Sequence, residues 1–464
     1  MHFQSLAFLF FILIVWLIFI GLSNKKIPAK NFILFANLVF FLSYGIRNLI
    51  ILISISVLDF FLAILICNNP KNRKLFLWLS VCVNMAVLLY FKYYLTNNGF
   101  FEISSNISLL SIAQATSIPF GISFYTFESM SYVIDVYKNK ITPRKKITDY
   151  LFFISYFPHL VSGPIIRPKL FFEDVEKNFK FKIENLNSGA YLFLLGLLKK
   201  VFIADLIGRY WIDEIFINPQ NYKGFELWAA SCGFLVKICY DLSGYTDMAR
   251  GISKLFNIEL PLNFEAPFFA KNLADFWRRW HQSLSFWFRD YFYKEFFPDH
   301  VSQTRKRIGA VLTFVLIGLW HGATISQVTW GLTQGLGYLV YMLIRDILKK
   351  FRINFGYAST IFTFLFVSAG AGLYEVDSMT NLKIFYGNSL KLGIEDFEKI
   401  PTLWFIFSAF SVFFQYGTYT GFKYQVMKRL EKMGFPLGLA LSGVIFVIIY
   451  LNNSNISTFM YYRH

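Results

Sequence analysis

Two histidines lie where charged and aromatic residues crowd together in an otherwise apolar chain. His281 ends the segment Asp275-Phe-Trp-Arg-Arg-Trp-His281, and His321 lies within Gly318-Leu-Trp-His321-Gly-Ala323. The run 308–320, just before His321, contains no charged residue. Because an ionisable side chain is costly at membrane depth, its presence there indicates function. A neutral imidazole could remove a proton as a general base or react as a nucleophile.

Two glycines beside His321 predict close packing. Gly318 and Gly322 are four residues apart, so they lie on one helical face and allow another backbone to approach. The alternative for His321 is a buried histidine hydrogen-bonded to a backbone carbonyl.

The residues around His281 predict an amphipathic helix. At about 100° per residue, one face is apolar and the other polar, with His281 on the border between them and next to Arg278 and Ser285. The apolar face contains Trp277, Trp280, Leu284, Trp287 and Tyr291, and the polar face contains Arg278, Gln282, Ser285 and Arg289. The alternative is an interfacial helix in which the histidine has no role.

The composition predicts an all-α, polytopic integral membrane protein. Of 464 residues, 56% are hydrophobic and 20% aromatic. Apolar runs alternate with short basic loops, and their lengths predict about 11 to 12 transmembrane helices plus re-entrant and amphipathic helices. We treat residues 1–464 as one transmembrane domain, with amino-terminal helices at 1–116, a core at 117–345 and carboxy-terminal helices at 346–464.

The net charge of +17, from 45 basic and 28 acidic residues, fits this topology. The basic residues lie in short loops between apolar runs, as the positive-inside rule requires, so nucleic-acid binding is not predicted. The four cysteines form no C-x-x-C pair, which argues against a metal site or a disulfide framework.

The chain order predicts crossings separated by less regular segments. We predict two crossings within 31–67, broken near Gly45, an outside loop at 97–117, a hairpin of 308–323 and 328–344, and late helices at 361–374, 403–419 and 437–451. Residues 150–166 are predicted to be re-entrant, since both of their flanks are basic. A crossing is predicted to end at Tyr240, and 241–307 to form amphipathic and re-entrant helices at the cytoplasmic side. Lys199 and Lys200 could either snorkel or face a cavity.

Six segments between about 117 and 341 resemble the membrane-bound O-acyltransferase (MBOAT) family, specifically its bacterial polysaccharide-acetylating branch. They occur in the family's order. The segments are Pro119-Phe-Gly-Ile-Ser-Phe-Tyr125, Ser131-Tyr-Val-Ile-Asp-Val-Tyr137, Phe157-Pro-His-Leu-Val-Ser-Gly-Pro-Ile-Ile-Arg167, Asp241-Leu-Ser-Gly-Tyr-Thr-Asp-Met-Ala249, and the two histidine segments. Residues 371–377 depart from the pattern of close relatives, so the resemblance assigns them no function.

The resemblance implies transfer of an acetyl group from cytoplasmic acetyl-CoA across the bacterial inner membrane to a cell-wall or exopolysaccharide glycan. Peptidoglycan is favoured, and an alginate-like polysaccharide comes next. It also implies His321 as the catalytic intramembrane histidine, His281 at the cytoplasmic entrance, and an extracytoplasmic SGNH hydrolase-like transferase as partner. We expect the donor site to include Arg278, Arg279, Arg289, Trp280 and Ser285, because guanidinium groups suit phosphates. The alternatives are D-alanyl transfer to teichoic acid, or a proton or solute transporter.

Overall fold

The computed structural model describes residues 2–3, 5–94, 118–160, 162–322, 324–351, 356–376 and 378–432. All regular secondary structure in these ranges is helical, which confirms the predicted all-α fold. The predicted outside loop at 97–117, the predicted helix at 437–451 and Ala323 lie outside the described residues.

Three helical stretches of the described chain are long and apolar enough to cross a membrane. These are Ile46–Asn68, Arg73–Lys92 and Tyr357–Glu375. Helix Leu6–Leu22 is also apolar but has only 17 residues. These features agree with a membrane protein.

The chain forms two compact units, of which the first contains residues up to Leu197 and the segment Tyr245–Pro261. Gly45, with φ of 109°, separates two of its helices, as predicted for 31–67. The helices of this unit are Leu6–Leu22, Lys26–Leu42, Ile46–Asn68, Arg73–Leu89, Ile122–Tyr137, Ile147–Ile154, Pro168–Asn178 and Glu184–Leu198.

A buried carboxylate of the first unit is held by hydrogen bonds. The carboxylate of Asp59 accepts hydrogen bonds from Ser80 at 2.5 Å and from Asn84 at 2.8 Å.

After Ile154 the described residues up to Arg167 have no regular secondary structure, and nearly all are buried. Irregular backbone enclosed by protein is what a re-entrant segment requires.

The second unit contains Leu198–Gly244 and the described chain from Leu262 to Met427. Its longer helices are Gln303–His321, Ile325–Phe351, Tyr357–Ala369, Met379–Ser389 and Thr402–Tyr419, together with the first part of Phe225–Leu255. Its shorter ones are π-helical Lys199–Asp205 and Gly208–Ile212, then Asp213–Ile217, Leu273–Arg279, Gln282–Trp287, π-helical Phe288–Tyr293, Lys294–Phe296, Ala371–Glu375 and Ile394–Glu398. Helix Phe422–Lys432 follows at its end.

The long helix Phe225–Leu255 corrects one prediction. We expected a crossing to end at Tyr240, but the helix continues past Asp241 without a break. The charge of Asp241 does not interrupt the helix, because its carboxylate accepts a hydrogen bond from buried Lys200 at 2.6 Å. Lys200 also pairs with Asp205 at 2.8 Å, so it is buried in an ion-pair cluster rather than snorkelling.

Helices Gln303–His321 and Ile325–Phe351 form the predicted hairpin. A Cβ atom on Gly318 would lie 2.4 Å from the carbonyl oxygen of Gln327 and 3.2 Å from the Cα of Gly331. The glycine therefore permits the close backbone approach that the sequence predicted.

Candidate active site

The hairpin places His321 at the last position of its first helix. Gly322 follows in an extended conformation, with φ of −178°, and ends the helix. A Cβ atom on Gly322 would lie 1.7 Å from the side-chain oxygen of Gln327, so a larger residue here would require the Gln327 side chain to move. The helix ends at His321 and leaves the imidazole buried at its end.

Tyr374 is the hydrogen-bond partner of His321. Its hydroxyl lies 3.2 Å from Nδ1 of the imidazole, and both side chains are buried. The contact engages one of the two ring nitrogens, and Nε2 is the nitrogen that Tyr374 does not contact. The sequence assigned no function to 371–377, and it contained no signal for this contact, because the two residues lie 53 positions apart.

Aromatic rings surround the His321 imidazole. The ring of Trp330 lies 5.4 Å from that of His321, and the ring of Tyr374 lies 5.2 Å from it. Trp320, next to His321 in the chain, has its ring 6.5 Å from that of His281 and so lies between the two histidines. Low polarity around a base favours its uncharged form, which is the form that accepts a proton.

His281 interrupts the helix that the sequence predicted. The prediction of one amphipathic helix through 275–291 is wrong, because helix Leu273–Arg279 ends before His281 and helix Gln282–Trp287 begins after it. His281 has φ of 41°, in the left-handed region. The break follows from tertiary pairing: Asn263 accepts hydrogen bonds from the backbone of Gln282 at 2.8 Å and of Ser283 at 3.1 Å.

The imidazole of His281 is buried and uncharged near neutral pH. Burial lowers its pKa to about 4. Histidine is one of the few non-glycine residues found repeatedly in the left-handed region, so the unusual backbone is compatible with this side chain. The lowered pKa therefore favours the neutral form of the His281 imidazole over the charged form.

A narrow cavity of about 50 Å³ is lined by both histidines. Trp280 and Ser285, two of the residues expected in the donor site, also line this cavity, and the Ser285 hydroxyl donates to the carbonyl oxygen of Trp280 at 3.2 Å. The other lining residues are mostly apolar: Phe234, Leu235, Ile238, Leu242, Trp277, Leu284, Ile317, Trp330, Val367, Ala371 and Tyr374. This is room for a few water molecules, so a substrate must displace side chains to reach His321.

The three predicted donor-binding arginines do not line this cavity. Arg278 and Arg279 both pair with Asp275, at 2.5 and 2.9 Å, and Arg289 pairs with Asp290 at 2.8 Å. Arg278 is the most exposed, at 67% of its side chain. The structure thus brings together His321, His281, Trp280 and Ser285 but leaves the arginines outside, engaged with acidic neighbours.

A third histidine belongs to the first unit. Nδ1 of His159 lies 3.0 Å from a Glu128 carboxylate oxygen, which also accepts a hydrogen bond from the backbone of Ile166 at 3.1 Å. All of these groups are buried. The arrangement ties the irregular segment after Ile154 to helix Ile122–Tyr137, which is a structural role.

Replacing Tyr374 with Phe is expected to lower kcat of acyl transfer by about tenfold, with little change in KM for the donor. The variant removes only the hydroxyl that orients His321, and such a hydrogen bond contributes about 0.5–1.5 kcal/mol. Steady-state kinetics would measure it. The matched control is Tyr386→Phe, whose hydroxyl bonds the carbonyl of Ala369 at 2.7 Å. Equal losses in both variants would contradict a positioning role for Tyr374.

Residues 38–374 match the family model described as MBOAT, membrane-bound O-acyltransferase family. The chain is 30% identical to the probable alginate O-acetylase AlgI of Pseudomonas syringae pv. tomato, over 85% of this chain and 76% of that protein. It is 29% identical to the peptidoglycan O-acetyltransferase of Helicobacter pylori, over 80% and 76%, respectively. It is also 29% identical to the teichoic acid D-alanyltransferase of Bacillus subtilis, over 75% and 90%. The chain therefore belongs to the membrane-bound O-acyltransferase family and is an acyltransferase.

Proposed function

We propose that this protein moves an acetyl group from cytoplasmic acetyl-CoA across the bacterial inner membrane, as a multi-pass protein, for O-acetylation of an extracytoplasmic glycan. The observation that carries the proposal is the buried His321–Tyr374 pair in a narrow, mostly apolar cavity shared with His281. An oriented, neutral imidazole in a low-polarity site is what a general base for acyl transfer requires.

The proposed chemistry uses Nε2 of His321, the ring nitrogen that the Tyr374 hydroxyl does not contact. Nε2 of His321 takes the proton of an acceptor hydroxyl as its oxygen attacks the thioester carbonyl. The carbon–sulfur bond then breaks, and the proton passes from the imidazolium to the departing thiolate, which leaves as coenzyme A. The Tyr374 hydroxyl keeps Nδ1 engaged throughout, so the imidazole does not rotate away from the reacting atoms.

The cavity size constrains how the donor enters. A space of about 50 Å³ does not hold a pantetheine arm, so the arm must displace aromatic side chains that line the cavity. His281, Trp280 and Ser285 line the same cavity and would contact the arm near the thioester. The nucleotide would remain outside the cavity, where Arg278 is exposed.

The acceptor is proposed to be a glycan hydroxyl, reached through an extracytoplasmic SGNH hydrolase-like partner. Relatives named for alginate and for peptidoglycan acetylation have similar identities, 30% and 29%. Identity therefore does not separate the two, and peptidoglycan and an alginate-like polysaccharide are both acceptors to test.

D-alanyl transfer is the second candidate, supported by the relative from Bacillus subtilis. In that reaction the donor is a D-alanyl thioester rather than an acetyl thioester, so the two differ in the acyl group that must fit the cavity. A transporter is disfavoured, because it does not need a histidine oriented by a hydrogen bond.

Proteoliposomes test the proposal and its direction. Labelled acetyl-CoA added outside vesicles should be consumed only by protein whose cytoplasmic face points outward, and the label should reach an acceptor enclosed inside. A D-alanyl thioester serves as the competing donor. Consumption of the D-alanyl donor but not of acetyl-CoA would replace the proposal with its alternative.

Charge removal at the arginines is expected to weaken donor binding. Arg278→Ala should raise the Kd for acetyl-CoA about fivefold, and more at low salt, where phosphate attraction is least screened. Calorimetric titration at two salt concentrations would measure the change. Arg305→Ala, another exposed arginine of the same unit, is the control. An unchanged Kd in Arg278→Ala and Arg279→Ala would place the nucleotide elsewhere.

A further inference from the structure

A second cavity, in the first unit, is much larger and strongly basic. Its volume is about 560 Å³. Lys26 and Lys30 contribute from the start of one helix, and Arg144, Lys145 and Lys146 contribute from the segment before another. The sequence separates these two groups by more than a hundred residues, and the structure brings them to one place.

Acidic residues neutralise only part of this charge. Asp149 and Glu176 are the two acidic residues that line the cavity. Lys30 pairs with Asp149, and Arg144 pairs with Glu176. Within the part of the chain that the structure describes, Lys145 and Lys146 are exposed and no ion pair is recorded for either. The cavity therefore carries a net charge of about +3, which favours an anionic ligand.

An apolar stripe begins at the same cavity. Ile27, which lines the cavity, is 69% exposed. Phe35 and Leu42 follow on the same face of helix Lys26–Leu42 and are 63% and 44% exposed. From Ile27 to Leu42 the stripe runs about 22 Å at about 1.5 Å per residue, somewhat more than half of a hydrocarbon core about 30 Å thick.

We infer that this cavity binds the headgroup of an anionic phospholipid, with an acyl chain lying along the stripe of Ile27, Phe35 and Leu42. The phosphate chemistry alone would equally suit a soluble nucleotide. The exposed apolar residues on this helix favour the lipid, because a nucleotide has no chain to cover exposed phenylalanine and leucine. The site is lined by none of the residues assigned to acyl transfer, and it does not depend on the identity of the acyl donor.

Native mass spectrometry of the full-length protein tests the inference. The protein is released from nanodiscs containing equal amounts of phosphatidylglycerol and phosphatidylcholine, and bound lipid is identified. Phosphatidylglycerol should be retained preferentially. The variant Lys145→Gln/Lys146→Gln should lower its affinity about 20-fold, since each basic side chain near an anionic headgroup contributes about fivefold.

Two further variants make the test specific. Lys71→Gln/Lys74→Gln removes the same charge from two exposed lysines of the same unit that do not line the cavity, and it should leave phosphatidylglycerol affinity unchanged. Phe35→Ser should weaken binding of the lipid but not of inorganic phosphate. An equal loss in both lysine variants, or equal retention of phosphatidylcholine, would overturn the site. Displacement of the lipid by coenzyme A at equal concentration would show that the ligand is a soluble nucleotide.

Discussion

His321→Ala is expected to lower kcat of acyl transfer by about 10²–10⁴-fold, the usual contribution of a positioned general base. The histidine ends its helix, is buried, and is oriented by the hydroxyl of Tyr374 at 3.2 Å. Donor binding should change little, because the proposed arrangement leaves the phosphates of the donor outside the cavity that His321 lines. Assays of labelled acetyl transfer would measure the loss of kcat, and a separate binding measurement would show whether the donor Kd stays unchanged.

The alanine variant also leaves a buried tyrosine hydroxyl without its partner, which costs about 1–3 kcal/mol. The variant His321→Asn separates this loss of stability from the loss of catalysis. Its side-chain amide can hydrogen-bond to Tyr374 in place of Nδ1, but it cannot act as a base. Both variants should therefore be inactive, and the asparagine variant should unfold nearer the wild-type temperature. His300→Ala, at an exposed histidine, is the control. Wild-type turnover in His321→Asn would exclude the base mechanism.

Lys200→Met is expected to destabilise the protein by about 3–5 kcal/mol, the usual cost of removing one partner from a buried ion pair. Lys200 contacts Asp205 at 2.8 Å and Asp241 at 2.6 Å, and all three side chains are buried. Without the ammonium group, two carboxylates remain in a medium that cannot solvate them. Thermal unfolding in detergent or nanodiscs would record the loss.

Neutralising the whole cluster is the matched comparison. Lys200→Met combined with Asp205→Asn and Asp241→Asn should recover most of the lost stability, because no buried charge is then left alone. The adjacent Lys199→Met, at a half-buried position, should cost less than Lys200→Met. A loss in Lys200→Met no greater than in Lys199→Met would show that the cluster contributes nothing.

Local signals made much of the helical framework predictable. Gly45 separates two helices because its positive φ suits only a residue without Cβ. The hairpin of Gln303–His321 and Ile325–Phe351 was predictable from an uncharged run followed by glycine. The cavity that contains both histidines was foreseen only as a consequence of the family resemblance.

The structural features that the sequence did not predict have a common physical cause, which is hydrogen bonding between residues distant in the sequence. The helical pattern around His281 continues in the sequence, but the helix breaks there. Asn263 accepts hydrogen bonds from two backbone N–H groups just after His281. Tyr374 reaches His321 from a different helix, so no local pattern reveals it. Lys200 looked misplaced because its partner Asp241 lies 41 residues away. Sequence periodicity reports one element at a time, whereas these contacts join several.

The point at which Gly322 stops the helix also has an electrostatic consequence. The peptide dipoles of a helix sum to about half a negative charge at its carboxyl end, where the last carbonyl groups have no partner within the helix. His321 is the final residue of a 19-residue helix, so its imidazole lies in that field. When the imidazole accepts a proton, the new positive charge forms beside the negative end. A cation near a helix end is stabilised by about 0.3–1 kcal/mol, and by up to ~2 kcal/mol when partly buried. The end of the helix at His321 therefore stabilises the protonated state that the proposed mechanism requires of this imidazole.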